Sequence, residues 1–199
     1  MSERESSRGA IRPGVVGACL LVLLLLGGLG VALAQLPRSD ADAWSEAGAE
    51  FVVGIPASAV WERLQDLRLA HNYVPGVAGV EILSAKEKGV GASRRIIQED
   101  GSTLDETVIE WEERRGFVIR LHQGEEGPPF PFDRARFRYR MEADGDRKTR
   151  LEIAIFYQPL GGWLGERLDA WVLNAEMKRR MEALGSSMGA YYEASAGVR

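Results

Sequence analysis

Residues 94–106, RRIIQEDGSTLDE, set two arginines and four acids around an Asp100-Gly101 turn. A two-residue type I′ loop there places Arg95 opposite Glu106, on the same face as Ile97, Leu104 and Val108. An arginine–carboxylate pair on an apolar face is costly to desolvate and so calls for a reason. One reading makes Arg95 and Glu106 a polar anchor that orients the carbonyl or carboxylate of a ligand. As candidate catalytic groups, the same two residues would polarise a carbonyl and move a proton. The other reading is an ordinary cross-strand pair on a solvated face, with Ile96, Ile109 and Trp111 forming the inner one.

Residues 134–141 alternate strictly. Arg134, Arg136, Arg138 and Arg140 fall on one face of a strand, and Ala135, Phe137, Tyr139 and Met141 on the other. The arginine row suits either a phosphate-bearing surface or a solvated face paired with Glu152 and similar carboxylates; the acidic composition favours pairing. The apolar set continues into Leu151, Ile153, Ile155 and Tyr157. Phe137, Tyr139, Met141, Ile155 and Tyr157, with Trp171 further on, are therefore candidate ligand-binding residues beside Arg95 and Glu106. Tyr139 and Tyr157 stand out because buried hydroxyls need partners.

Other chemistries lack their parts. The only histidines are His71 and His122, the lone cysteine is Cys19, and no Gly-x-Ser-x-Gly occurs, so neither a metal site nor a hydrolase triad is expected. No cofactor is called for, since Gly27 to Gly30 lies inside an apolar run and forms no phosphate loop. The net charge of −4 excludes a basic nucleic-acid surface.

The elements that must position these groups follow from periodicity. Arg4, Arg8 and Arg12 precede an uncharged run from Gly14 to Leu36, long enough to span a bilayer. Ala32-Leu33-Ala34 also resembles a signal-peptidase site. Residues 1–36 are thus expected as a membrane anchor facing the domain outward, or as a signal peptide giving an exported or periplasmic protein. Residues 37–48 read as a linker, 49–193 as the domain and 194–199 as a tail.

Within the domain, 49–55 reads as a strand ending at Pro56. Val60, Trp61, Leu64 and Leu67 follow at helical spacing. Six further strand-like segments lie between 80 and 158, separated by turn signals. A closing helix of about 27 residues carries Leu164, Leu168, Trp171, Ala175, Met181, Leu184, Met188 and Tyr191 on one face. The order predicts an α+β fold: a curved antiparallel sheet of about seven strands around a long C-terminal helix, after an N-terminal transmembrane or signal segment.

That order resembles the START-related superfamily. So do the segments IPASAVWERLQDL, NYVPGVAGVEIL, GVGASRR and DETV, and more narrowly they resemble its polyketide cyclase/dehydrase and lipid-transport (SRPBCC) group. The resemblance covers about residues 49–193 and implies a helix-grip (START-like) fold with an apolar cavity. It implies no single reaction, because that superfamily hosts carriers, receptors and enzymes. The leading expectation is binding, by carriage or sequestration, of a hydrophobic small molecule or lipid. The alternatives are a cyclase/dehydratase-type enzyme and an interaction module without ligand.

Overall fold

The computed structural model describes residues 44–129, 131–161, 167 and 169–196. The expected anchor or signal segment, 1–36, lies outside them, as do Leu164, Leu168 and the side chain of Trp171. Residues Pro37–Arg199 form the second of the chain's two units. No helix among the described residues is long and apolar enough to cross a membrane.

The second unit is built on seven antiparallel strands: β1 (Ser45–Val53), β2 (Val77–Ile82), β3 (Ser93–Gln98), β4 (Thr103–Glu112), β5 (Gly116–His122), β6 (Phe132–Ala143) and β7 (Thr149–Pro159). Their order across the sheet is β1-β7-β6-β5-β4-β3-β2. After β1 the chain crosses to the far edge through helix α1 (Ala57–Leu64) and a 3-10 helix (Leu67–Asn72). It then returns strand by strand until β7 meets β1. Helix α2 (Asn174–Ala196), preceded by one wide turn at Asp169–Leu173, closes the chain.

β1 begins at Ser45, inside the stretch expected as linker. Its small residues explain the early start. A side chain at Gly48 would come within 2.8 Å of the Ile153 carbonyl, so only glycine lets the strand lie this close on β7. Helix α2 packs chiefly along β1 and touches β7. Gly185 permits that approach, since a Cβ there would stand 3.2 Å from the Phe51 ring.

Alternation in β6 and β7 comes out as read. Ala135, Phe137, Tyr139 and Met141 are buried on the inner face with Leu151, Ile153, Ile155 and Tyr157. The outer arginines follow the pairing reading at one position: Arg138 contacts Glu152 at 2.5 Å and Glu46 at 3.7 Å.

Candidate functional site

The 98–102 loop decides which arginine enters the interior. It holds three residues, not two. Gly101 N–H donates to the Gln98 carbonyl and Gln98 N–H to that of Ser102, with Gly101 at φ +82°. This is a type I turn followed by a left-handed residue, the usual three-residue hairpin connection. One extra residue moves every pairing by one. The expected Arg95–Glu106 pair is therefore corrected: Arg94 stands opposite Glu106, and Arg95 opposite Asp105.

The two pairs differ in setting. Arg94 is 2 % exposed and Glu106 9 %; the Arg94 Nε donates to Glu106 Oε2 at 2.6 Å. A second Arg94 nitrogen donates to the Leu67 carbonyl at 2.7 Å, stitching the pair to the 3-10 helix. Arg95 lies on the outer face and grips Asp105 with two bonds of 2.7 and 3.0 Å. Asp105 also accepts from the Gly124 N–H, and the Arg95 bond holds its carboxyl below the usual range despite burial.

Tyr73 and Tyr139 complete the inner network. The Tyr73 hydroxyl lies within hydrogen-bonding reach of both Tyr139 and Arg94. Burial raises both phenols above their ordinary value, although the Arg94 charge opposes this, so both stay protonated at neutral pH. Burial alone would lower the Arg94 pKa, but Glu106, with Tyr73 and Tyr139 behind it, leaves the guanidinium more firmly charged than usual. Arg94 thus spends its Nε and one Nη inside the protein. Glu106 is the more open partner. Its Oε2 takes Arg94; among the described residues no donor reaches Oε1, and that atom is not sealed from solvent.

Around this network the wall is aromatic and aliphatic. Trp61 meets Trp111 edge-on at 5.1 Å, and Trp111 stacks on Phe117 at 5.4 Å. Phe117 and Phe137 flank Tyr139 at 4.9 and 4.8 Å. Glu113 accepts from both indoles, Trp61 and Trp111, at 3.0 Å each. Trp111 joins the face of Glu106 and Val108 because the register shifts between Val108 and Glu110. Ile109, at that irregularity, does not join it. Inner and outer residues could not be sorted by parity alone through such a bulge.

The wall is not uniformly sealed. Ile119, Leu151, Ile153 and Met188 are 0–1 % exposed. Leu121, Phe137, Ile155, Met177 and Met181 retain 6–8 %. All five belong to the one hydrophobic core; Leu121 lies opposite Glu106, and Phe137 opposite Ile155, across the ladders.

The remaining expected residues fall as follows. Met141 sits at 2 % exposure, away from the open stretch. Tyr157 is buried, but its hydroxyl donates to Asp169 at 2.6 Å, and Ser45 donates to the other carboxyl oxygen. Burial, then the Asp169 bond, raises the Tyr157 pKa. That hydroxyl is thus committed to locking β1 and β7 to the turn before α2. The ring of Tyr157 also meets that of Phe132 at 5.1 Å. Arg94, Tyr73 and Met177 were not anticipated from sequence. Gly101 as the third loop residue was the available signal for Arg94. Among the described residues, no three His, Cys, Asp or Glu side chains group as metal ligands would.

The sequence profile of the polyketide cyclase/dehydrase and lipid transport family matches residues 47–189. No curated protein sequence matches the chain significantly. Three solved structures resemble it. A START superfamily protein from Mycobacterium smegmatis has a TM-score of 0.59 at 15% identity, over 75% of this chain and 98% of that one. The Zhui aromatase/cyclase from Streptomyces sp. R1128 has 0.55 at 16%, over 77% and 94%. Norcoclaurine synthase from Thalictrum flavum, in complex with dopamine and hydroxybenzaldehyde, has 0.57 at 12%, over 79% and 89%. At such identities the likeness speaks for the fold alone.

Proposed function

The chain belongs to the polyketide cyclase/dehydrase and lipid transport family, and from that premise we propose that its helix-grip domain binds a hydrophobic small molecule or lipid for carriage or sequestration. The observation that carries this reading is the open stretch of inner wall. Leu121, Phe137, Ile155, Met177 and Met181 keep 6–8 % of their surface accessible, as Glu106 keeps 9 %, while Ile119, Leu151, Ile153 and Met188 on the same wall keep 0–1 %. A ligand there buries its apolar body on those five side chains.

The polar network narrows the ligand further. Arg94 gives its Nε to Glu106 and one Nη to the Leu67 carbonyl, so its charge is already paired, and Glu106 beside it repels a second carboxylate. What remains open is an acceptor, Glu106 Oε1. The ligand that fits is apolar with one O–H or N–H donor, such as a hydroxylated lipid or phenol, rather than a fatty acid. With residues 1–36 as anchor or signal, the domain would work outward of the membrane, tethered or released.

The same open carboxylate oxygen supports a second reading. Beside two protonated phenols it could take a proton from a bound substrate, as a cyclase-type enzyme requires. One experiment separates the two. The full chain, purified without denaturation, is extracted and its small molecules weighed by mass spectrometry. Binding predicts recovery of an apolar compound with a hydroxyl or N–H, unchanged after prolonged incubation with the protein. Conversion on incubation favours the enzyme; repeated recovery of nothing apolar contradicts both.

A further inference from the structure

The outer face of the sheet carries a feature the inner site does not use. The β5–β6 register sets Arg120 directly opposite Arg136, a relation in which like charges repel. Three of the carboxylates on this face lie against other arginines. Glu152 and Glu46 serve Arg138, and Asp133 lies 4.0 Å from Arg134. Among the described residues neither Arg120 nor Arg136 forms a salt bridge. Arg136 instead lays its flat face on Trp44, 4.0 Å from the ring centre. Stacking uses the face of a guanidinium and leaves its edge N–H groups available to an acceptor.

Both arginines line a groove of about 480 Å³ with Trp44, Ile109, His122 and Arg134. His122 supplies no donor to it, since its ring nitrogens are held by Thr107 at 2.8 Å and the Gly124 carbonyl at 2.7 Å. Glu125, Glu126 and Asp133 also border the groove and balance its charge. A balanced groove rejects a polyanion such as nucleic acid and admits one compact anion at its basic wall.

We propose that this groove binds a single phosphate group between Arg120 and Arg136, carried either by a lipid headgroup or by a free phosphate. The anion relieves the opposition of the two guanidiniums and receives their unused edge donors. Nothing in this depends on the inner site, so the failure of one leaves the other standing.

The test compares the full chain with R120Q/R136Q and, as a control elsewhere on the same face, Arg140→Gln. Inorganic phosphate and glycerol phosphate are titrated calorimetrically at low salt. Saturable binding in the wild type, weakened at least tenfold in the double variant and unchanged in the control, supports the site. Sedimentation with phosphatidylglycerol and phosphatidylcholine vesicles then separates the sources. A preference for the anionic vesicles that the double variant loses assigns a headgroup; equal partition of both proteins assigns free phosphate. Phosphate should also raise the urea midpoint of the wild type and not that of the double variant. If wild type and double variant respond alike in every arm, the proposal is wrong.

Discussion

Arg94 and Glu106 form a salt bridge of 2.6 Å whose side chains are 2 % and 11 % exposed, the one ion pair among the described residues with both members so buried. The next pair along the same hairpin, Arg95–Asp105, leaves its arginine 38 % exposed. Adjacent residues on one strand thus hold one pair inside the sheet and one outside.

This contrast sets a mutational ranking. Arg94→Met alone strands a buried carboxylate and should cost about 3–5 kcal/mol of unfolding free energy. Replacing both partners, Arg94→Met with Glu106→Leu, should cost less than the sum of the single changes. Arg95→Ala should cost clearly less than Arg94→Met. Urea unfolding of the four variants checks the order. An additive double variant would mean that the pair is not coupled.

Two buried tyrosines make opposite predictions. Among the described residues the Tyr192 hydroxyl is buried without a hydrogen-bond partner, while that of Tyr157 donates to Asp169. Tyr192→Phe removes an unsatisfied group and should be neutral or stabilising by up to about 1 kcal/mol. Tyr157→Phe withdraws a donor from a buried carboxylate and should destabilise by about 1–3 kcal/mol. Thermal unfolding distinguishes them; a loss at Tyr192 as large as at Tyr157 would point to a partner for that hydroxyl.

The glycines of α2 divide likewise. A Cβ at Gly189 would meet Phe51 at 3.7 Å, an ordinary contact, whereas at Gly185 it would meet Phe51 at 3.2 Å and Ala49 at 3.4 Å. Gly189→Ala should gain from helix propensity, by up to about 1 kcal/mol. Gly185→Ala should gain less or lose, because the helix must lift from β1. Equal gains at both sites would show that β1 yields freely.

Acid should reach the outer pair first through Asp105. The Arg95 hydrogen bond, against the opposing effect of burial, holds the Asp105 carboxyl below its ordinary value. A depressed folded pKa contributes stability above the unfolded value, about 3.9, and that contribution is lost as pH falls toward the lower folded value. Wild type should therefore lose stability between about pH 5 and pH 2 more steeply than Asp105→Asn. Urea midpoints measured down this range test the sign; parallel curves would detach Asp105 from acid unfolding.

The fold was legible because its signals are periodic. Strict alternation over 134–141 fixed the faces of β6, and the turn dipeptides marked the strand ends. The site was less legible because it hangs on single-residue offsets. Asp100-Gly101 reads as a two-residue loop, and only the backbone places Glu99 in it as well, which exchanges Arg95 for Arg94. The shift beside Ile109 reverses parity again, so that Trp111 faces inward with Val108. Tyr73 follows a short 3-10 turn whose direction no local pattern announces. Its meeting with Tyr139, 66 positions later in the numbering, is a tertiary event.

The central claim is a ligand seat on the wall of Leu121, Phe137, Ile155, Met177 and Met181. Its most direct test is fluorescence titration of the full chain with a hydroxylated, uncharged hydrophobic probe, alongside Phe137→Trp to fill the seat and Arg140→Gln as an outer-face control. Saturable binding at one site per chain, lost on filling at Phe137 and kept in the control, is the predicted result. No saturable binding by a folded wild-type chain, or equal binding when the seat is filled, would contradict it.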